Sequence, residues 1–262
     1  MTDASPVWDP RQYARFDGER DRAALDLLLR LPEDLAPREI WDLGCGAGHQ
    51  AALLKGRYPA AAVHGLDSSA AMLAEAARHD AVIDWVQGDI ADWIPARSAD
   101  LIFSNAALHW IPDHRDLLTR LVGTLAPGGA LAVQMPRAHG TRHHAVLRSV
   151  AAEGPWAEAL APVPRMAALL PVEGYYEVLA TGAGSVDLWS TTYLHVLTGP
   201  DAVLEWMKGA ALRPYLAALE RDAPMQAAFV STLGAALSAA FPPQPDGATL
   251  LPFPRLFLVA RR

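Results

Sequence analysis

The chain has 262 residues, of which 52% are hydrophobic and 19% are charged, and its formal net charge is −7 at neutral pH. This composition is globular, and the length suits one α/β domain with an insertion. The acidic balance argues against broad nucleic-acid binding, which needs a basic face, and a single cysteine excludes an internal disulfide.

The first half of the chain alternates helical and strand patterns with short connections. Their order is helix 17–31, strand 40–43, helix 50–58, strand 62–66, helix 70–78, strand 83–87, strand 100–104, and a helix that Asp113 caps. Ser68 and Ser69 can cap the helix that follows them. Four leucines indicate the apolar stripe of the first helix: Leu25, Leu28, Leu29 and Leu31. Strand–helix alternation of this kind predicts right-handed crossovers and a parallel sheet.

The second half is less regular. A turn at 127–129 leads into a strand at 130–135, and the region 139–171 is predicted to be helical with breaks at its prolines. A helix at 175–180, a long strand at 186–196 and a last strand at 255–260 follow, with an alanine- and leucine-rich helical segment at 200–241. We therefore predict a single domain over 1–262, with an N-terminal helical segment at 1–36 and a helical insertion or lid at 197–245.

Polar residues and glycines end successive predicted strands. They are Asp42 with Gly44, Gly46 and Gly48, then Asp67, Asp89, Asn105 and Gln134. In an open α/β sheet, ligands bind beyond the carboxyl ends of the strands. Asp67 follows Gly44 by about 20 residues, a spacing at which an acid can bind both hydroxyls of a ribose. Asp89 and Ile90 can bracket an adenine. Each acid taken singly is also explained as a cap or turn residue, but three on successive strands favour a cofactor site.

The glycine spacing differs from the dinucleotide fingerprint, which needs a small residue where His49 stands. Five segments instead resemble the motifs of class I S-adenosylmethionine (SAM) dependent methyltransferases: 42–48 (DLGCGAG), 65–69 (GLDSS), 87–90 (QGDI), 100–110 and 125–131. The resemblance implies an α/β, Rossmann-like fold. It has a seven-stranded, mostly parallel sheet with an antiparallel last strand, helices on both faces, and a helical insertion before the last strand.

SAM is the cofactor that this resemblance implies, with S-adenosylhomocysteine as the product. The predicted cofactor-binding residues are Asp42, Gly44, Gly46, Gly48, Asp67, Ser68, Met72, Asp89, Ile90 and Asn105.

Segments on both flanks resemble the trans-aconitate methyltransferases, a family within this superfamily. They are 8–16, 132–136, 187–193, 212–214 and 253–257. Members of that family esterify one carboxylate of a tricarboxylic acid, so the resemblance implies an O-methyltransferase for a small polycarboxylate, with trans-aconitate as the first candidate. One departure concerns Arg137 and Ala138, which stand where the family pattern has an Asp-Asn pair.

An anionic acceptor sets the residue types that the site needs. A carboxylic acid with a pKa of about 4 is already ionised near neutral pH, so no general base is required and catalysis depends on positioning. Donors must hold the remaining carboxylates, and arginine does so bidentately. The predicted substrate-binding residues are Tyr13, Arg20, His109, Trp110, Tyr175, Tyr176, Arg213 and Arg255. His109 is also the one tentative catalytic residue.

Structural roles compete with several of these assignments. Arg20 and Arg213 can lie on solvated helix faces, and Arg255 can form a structural ion pair. Tyr175 and Tyr176 can belong to a helix stripe, and His109 can be a core or capping residue.

Other interpretations stay open at this stage. The chain can be a methyltransferase for another small-molecule or carrier-bound acid, or a non-catalytic SAM-binding module. His139, His143 and His144 are better explained as a surface cluster than as metal ligands, so we predict no metal. We expect a cytoplasmic monomer or homodimer without membrane or nucleic-acid partners, since no signal peptide or apolar span of about 20 residues is visible.

Overall fold

The fold is described from a computed structural model that covers residues 17–79, 82–163 and 169–262, with the side chains of 17–21 and 79 left out. These residues divide into two compact units. We call residues 17–136, 169–191 and 255–262 the sheet unit, and residues 137–163 and 192–254 the helical unit.

The strands and helices of the sheet unit alternate as the sequence predicts. In chain order they are α1 (Asp17–Leu29), β1 (Glu39–Leu43), α2 (His49–Arg57), β2 (Ala62–Asp67), α3 (Ala70–His79), β3 (Asp84–Gln87), β4 (Ala99–Asn105), α4 (His114–Gly123) and β5 (Leu125–Pro136). Helix α7 (Val172–Ala180) and strands β6 (Ser185–Leu197) and β7 (Thr249–Arg261) complete the sheet architecture.

These strands form a seven-stranded sheet in the order β3-β2-β1-β4-β5-β7-β6. Strands β1 to β5 pair in parallel, whereas β7 runs antiparallel to β5. The predicted fold class is therefore confirmed. Strands β2 and β3 lie on one side of β1, and β4 and β5 lie on the other, so the strand order switches direction beside β1. Open α/β sheets bind ligands at such a switch point.

Sequence-predicted caps fix two helix starts. The side chain of Asp113 accepts a hydrogen bond from the backbone N–H of Asp116, and Ser69 Oγ accepts from the backbone N–H of Met72 at 3.4 Å. Each bond satisfies a donor that the first helical turn leaves unpaired.

The apolar stripe predicted for α1 is partly wrong. Leu29 is 75% exposed and Leu25 is also exposed, while Ala23, Ala24 and Leu27 are buried. Small alanines let the helix pack closely, so its buried face is rotated from the one that the leucines alone indicate.

The helical unit has its own core. Its helices are α5 (Arg142–Ala152), α6 (Ala157–Leu160), α8 (Ala202–Lys208), α9 (Arg213–Ala218) and α10 (Ala223–Ala240). Trp156 packs edge-on against Phe229 at a ring distance of 5.3 Å, and Tyr215 stacks on the same phenylalanine. That the segment 197–245 acts as a lid stays a prediction. No helix in the described ranges is long and apolar enough to cross a bilayer.

Candidate functional site

Three glycines shape the turn between β1 and α2. Gly44, Gly46 and Gly48 have φ values of +76°, +53° and +86°, a region that L side chains rarely adopt. A Cβ on Gly44 would lie 2.2 Å from the Cβ of Ala107, and one on Gly48 would lie 2.5 Å from Trp85 Cη2. A Cβ on Gly46 would meet no described atom within 4 Å. Neighbouring side chains therefore pack against the turn at Gly44 and Gly48, whereas the turn is open at Gly46.

Asp67, at the end of β2, orders the backbone of two connections, the glycine turn after β1 and its own turn into α3. Its Oδ2 accepts from the Gly46 N–H at 2.9 Å, and its Oδ1 accepts from the Ser69 N–H at 2.9 Å. A carboxylate has about four acceptor positions, so each oxygen can still accept a bond from a ligand. Ser68 beside it is exposed, and Met72 is buried in α3.

The loop after β3 carries Asp89 and Ile90. Asp89 is exposed and its Oδ1 accepts from the Ala91 N–H at 2.8 Å, whereas Ile90 is buried. Arg120 of α4 fastens this loop, because its Nη2 donates to the carbonyls of Ile90 and Ala91 at 2.9 and 2.8 Å. Sequence analysis missed Arg120, since one arginine on a helix does not reveal which loop it reaches.

Asp42, at the end of β1, is a buried carboxyl group with 1% of its surface exposed. Its pKa is raised to about 8, chiefly by burial and then by the nearby Asp67 carboxylate, against the opposing effect of a backbone hydrogen bond at Ala51. Its Oδ2 has no hydrogen-bond partner in the described part of the chain. Burial also raises the pKa of the Cys45 thiol, as do the Asp42 and Asp67 charges, which fits a turn residue rather than a nucleophile.

The end of β4 is strained where it approaches the glycine turn. Ala106 has a φ of +55° and donates its N–H to the carbonyl of Gln134 at 2.9 Å. A non-glycine residue in this region costs about 1–3 kcal/mol, and such strain is often found at functional sites. Asn105 precedes it, and its Oδ1 is a buried acceptor without a partner among the described groups.

A short 3-10 turn, Leu108–Trp110, follows directly. His109 is buried with its ring 4.8 Å from that of Trp110, whose side chain is 43% exposed. His114 anchors the turn, because its Nε2 lies 3.0 Å from the Leu108 carbonyl while its Nδ1 lies 2.6 Å from the Tyr175 hydroxyl. A carbonyl only accepts, so Nε2 is the donor and Nδ1 accepts from the tyrosine.

This arrangement gives Tyr175 a different place from the one predicted. Its side chain is fully buried in the core of the sheet unit, and its hydroxyl is bonded to His114. Burial lowers the pKa of His114, which keeps the ring in the neutral form that this pair of bonds requires. Tyr175 therefore supports the 3-10 turn from inside the core.

Donors lie at the carboxyl end of β5 and on the part of β7 that pairs with it. Arg255 is only 4% exposed, and its Nη1 donates to Gln134 Oε1 at 3.3 Å. Gln134 is buried, and its Nε2 has no partner in the residues that the structure describes. Arg255 pairs with Pro136 in the sheet register, so it lies at the carboxyl edge of β5. The position of Gln134 at a strand end drew attention to it, but the list of predicted site residues did not include it.

The remaining predicted residues fall elsewhere. Tyr176 is exposed on α7, and Arg213 is half-buried at the start of α9 in the helical unit. Tyr13 lies outside the described residues, and Arg20 belongs to the part of α1 for which only the backbone is described. Arg137, the departure from the family pattern, is exposed.

The histidine cluster lies only partly at the surface: His139 is exposed as the sequence-based interpretation has it, but that interpretation is wrong for His143 and His144. His143 and His144 are buried in the helical unit, and His143 stacks on Phe253 at a ring distance of 5.7 Å. Burial and the neighbouring His144 lower the pKa of His143 to about 3. The described residues contain no group of His, Cys, Asp or Glu side chains that could hold a metal ion.

Similar proteins agree with this architecture. A family model described as "Methyltransferase domain" matches residues 41–133. Trans-aconitate 2-methyltransferase of Azoarcus sp. (strain BH72) is 46% identical over 98% of this chain and 100% of its own length. The enzyme of the same name from Methylobacterium nodulans is 48% identical over 97% of this chain and 98% of its own.

Solved structures resemble the chain in fold. Phosphoethanolamine N-methyltransferase 2 of Haemonchus contortus, solved with S-adenosyl-L-methionine, has a TM-score of 0.56 at 20% identity and covers 96% of this chain and 56% of its own. The YcgJ protein of Bacillus subtilis has a TM-score of 0.59 at 16% identity, over 92% of this chain and 98% of its own.

Proposed function

The chain belongs to the trans-aconitate 2-methyltransferase family, and we propose that it is a SAM-dependent O-methyltransferase that esterifies one carboxylate of a small polycarboxylic acid. The first candidate acceptor is trans-aconitate, which would give a monomethyl ester and S-adenosylhomocysteine.

The distribution of polar groups along the carboxyl edge of the sheet supports this proposal best. The ends of β1, β2 and β4 present acceptors, among them the buried oxygens Asp42 Oδ2 and Asn105 Oδ1 and the carboxylate of Asp67. The carboxyl end of β5 and the part of β7 that pairs with it present the donors of Gln134 and Arg255. One side of the edge therefore suits a cationic, donor-rich ligand, and the other side suits an anion.

SAM fits the acceptor side by its chemistry. It carries an ammonium group, a sulfonium group, ribose hydroxyls and an exocyclic amine, and the buried oxygens without partners need donors of this kind. We assign the ribose hydroxyls to Asp67 and the adenine to Asp89, Ile90 and Met72, because the two apolar side chains are buried and the acid can accept from the adenine amine. The open face of Gly46 lets the ligand approach the backbone closely.

The acceptor carboxylates are assigned to the donor side. Arg255 offers a planar guanidinium that can bind a carboxylate bidentately, and Gln134 holds it in place through Oε1. His109 and Trp110 lie on the strand end between the two sides and complete the proposed pocket of the sheet unit. Tyr13, Arg20 and Arg213 remain predicted substrate contacts.

The bound cofactor supplies an electrophilic methyl group, and the residues of the chain supply position and environment. The acceptor carboxylate is already ionised near neutral pH, so no residue needs to remove a proton from it. Arg255 and Gln134 hold the carboxylates that do not react, which leaves the reacting oxygen to be aligned. The proposed roles thus consist of binding and orientation, without a catalytic base.

Two measurements test the proposal in sequence. Calorimetry with S-adenosylhomocysteine tests cofactor binding, and absence of binding refutes every methyltransferase role. Transfer of a labelled methyl group from SAM is then compared for trans-aconitate, cis-aconitate, citrate and isocitrate. We expect the highest rate with trans-aconitate, and a protein that binds the cofactor but labels none of the four acids refutes a polycarboxylate acceptor.

A further inference from the structure

Asp42 combines features that its proposed role as a hydrogen-bond acceptor does not explain. Its carboxyl group is buried at the first turn of the site, and Oδ2 has no hydrogen-bond partner in the described residues. A buried carboxylate without compensating donors is costly, because its charge has lost the solvation of water. A neutral carboxylic acid avoids most of that cost and keeps the same shape.

The groups packed around Asp42 favour the neutral form further. From β2 the charged neighbour is Asp67, and from the glycine turn the titratable neighbour is the Cys45 thiol, which is neutral because burial raises its pKa. Gly65 of β2 and Phe103 of β4 flank it in the sheet register and carry no charge.

Helix α2 offers only a backbone bond, at Ala51. The titratable side chains of α2 lie at its two ends, with His49 exposed in its first position and Lys55 and Arg57 in its last turn. Lys55 Nζ donates to the Pro59 and Ala61 carbonyls, and Arg57 Nη1 donates to the Leu28 carbonyl. Among the described groups that shift the Asp42 pKa, none is a cation.

We propose that Asp42 is a protonated carboxylic acid in the ligand-free protein and releases this proton to solvent when a cationic ligand binds at the glycine turn. The O–H bond breaks, both electrons stay on the carboxylate oxygen, and the proton passes to the buffer. The new carboxylate charge is balanced by the ligand cation, so the site holds an ion pair only when it is filled. This proposal rests on the proposed function for the identity of the ligand, SAM.

The consequence is a cofactor affinity that depends on pH. Below the pKa of Asp42 in the free protein, which is about 8, binding must first remove a proton. Affinity for the cation therefore falls as the pH is lowered, by about tenfold for each pH unit until the pKa of the filled site is reached. Above pH 8 the dependence should level off.

Calorimetry counts the proton directly. SAM is titrated into the whole protein, without acceptor, in phosphate and in Tris at pH 7, because these buffers differ in their heat of ionisation. We expect the difference in binding heat to correspond to release of close to one proton. Neutral 5′-methylthioadenosine, which lacks the ammonium and sulfonium groups, should bind without proton release.

Two variants locate the proton. Asp42→Asn imitates the neutral acid, so it should fold normally, bind SAM without proton release and lose the pH dependence of affinity. Asp92→Asn is the matched control, since Asp92 is an exposed acid in the loop after β3 to which no ligand contact is assigned, and it should release the proton as the wild type does. Infrared spectra of the ligand-free protein should show a protonated-carboxyl C=O band that Asp42→Asn lacks and that SAM removes.

The outcomes separate this proposal from the proposed function. If SAM binds with the same heat in both buffers, or if Asp42→Asn still releases the proton, the proposal about Asp42 is overturned and the methyltransferase role stands. If the infrared band is absent from the ligand-free wild type, the protonated form is excluded whatever binds. If SAM gives no heat in any buffer and leaves the infrared band unchanged, both proposals fall.

Discussion

Three glycines with positive φ, Gly44, Gly46 and Gly128, allow the effect of side-chain packing to be measured separately from the effect of ligand access to the backbone. Alanine at any of them has an unfavourable backbone conformation, which costs about 1–2 kcal/mol. Gly44→Ala also places a methyl carbon 2.2 Å from the Cβ of Ala107, and overpacking of this kind adds about 1–3 kcal/mol. In Gly46→Ala and Gly128→Ala the new methyl carbon meets no described atom within 4 Å. These variants should therefore lose only the stability that the unfavourable backbone conformation costs.

Urea unfolding of the three variants measures these differences. We expect Gly44→Ala to lose about 2–5 kcal/mol of unfolding free energy, and the other two about 1–2 kcal/mol. The second change Ala107→Gly should restore part of the loss in Gly44→Ala, because it removes the methyl carbon that collides.

Ligand affinity should rank the variants differently. The methyl group of Gly46→Ala projects to the open side of the turn, where the proposed ligand lies, so the Kd for S-adenosylhomocysteine should rise by about tenfold or more. Gly128→Ala lies near the start of β5, away from the carboxyl edge of the sheet, and should leave the Kd unchanged. Equal stability of Gly44→Ala and Gly46→Ala, or unchanged affinity in Gly46→Ala, would refute this reasoning.

Three further predictions address the acceptor side, the core support and the helical unit. Arg255→Lys should raise the acceptor KM by about tenfold or more while the Kd for S-adenosylhomocysteine holds, because lysine cannot bind a carboxylate bidentately. Tyr175→Phe should lower the unfolding free energy by about 1–3 kcal/mol, since it leaves the His114 acceptor unpaired in the core. The pKa of His143 is depressed in the folded protein, so on acidification the unfolded state takes up a proton first. The free energy of unfolding should therefore fall by about 1.4 kcal/mol per pH unit below about pH 6.5. Urea titrations should show a smaller slope for His143→Phe.

Matched controls make these three outcomes decisive. Tyr176→Phe, on the exposed side of the same helix, should change stability by less than about 0.5 kcal/mol, and a loss equal to that of Tyr175→Phe would contradict the core role of Tyr175. An unchanged acceptor KM in Arg255→Lys would return Arg255 to a structural role. Stability that does not fall on acidification would contradict the buried, neutral state of His143.

Local sequence patterns predicted the sheet and the placement of acids at its carboxyl edge. Strand and helix lengths, the cap at Asp113 and the glycine turn depend on residues close together in the chain, so their signals are visible without the fold. The acids at the ends of β1, β2 and β3 were found for the same reason, because a parallel sheet places all carboxyl ends at one edge.

Contacts between distant residues could not be predicted in this way. Nothing near Tyr175 reveals that its hydroxyl meets His114, and nothing near Arg120 reveals the carbonyls after β3 that it binds. The burial of His143 and the rotation of α1 toward its alanines likewise depend on what packs against each helix.

The glycine spacing by itself predicted a turn after β1 that a ligand can approach closely, because only glycine adopts these φ values at low cost. The tertiary structure decided what packs against each glycine, since Ala107 after β4 and Trp85 of β3 reach Gly44 and Gly48 and leave Gly46 open. It also decided the state of Asp42. An aspartate in a sequence is simply an acid, and only burial beside Asp67 without a second donor favours its neutral form.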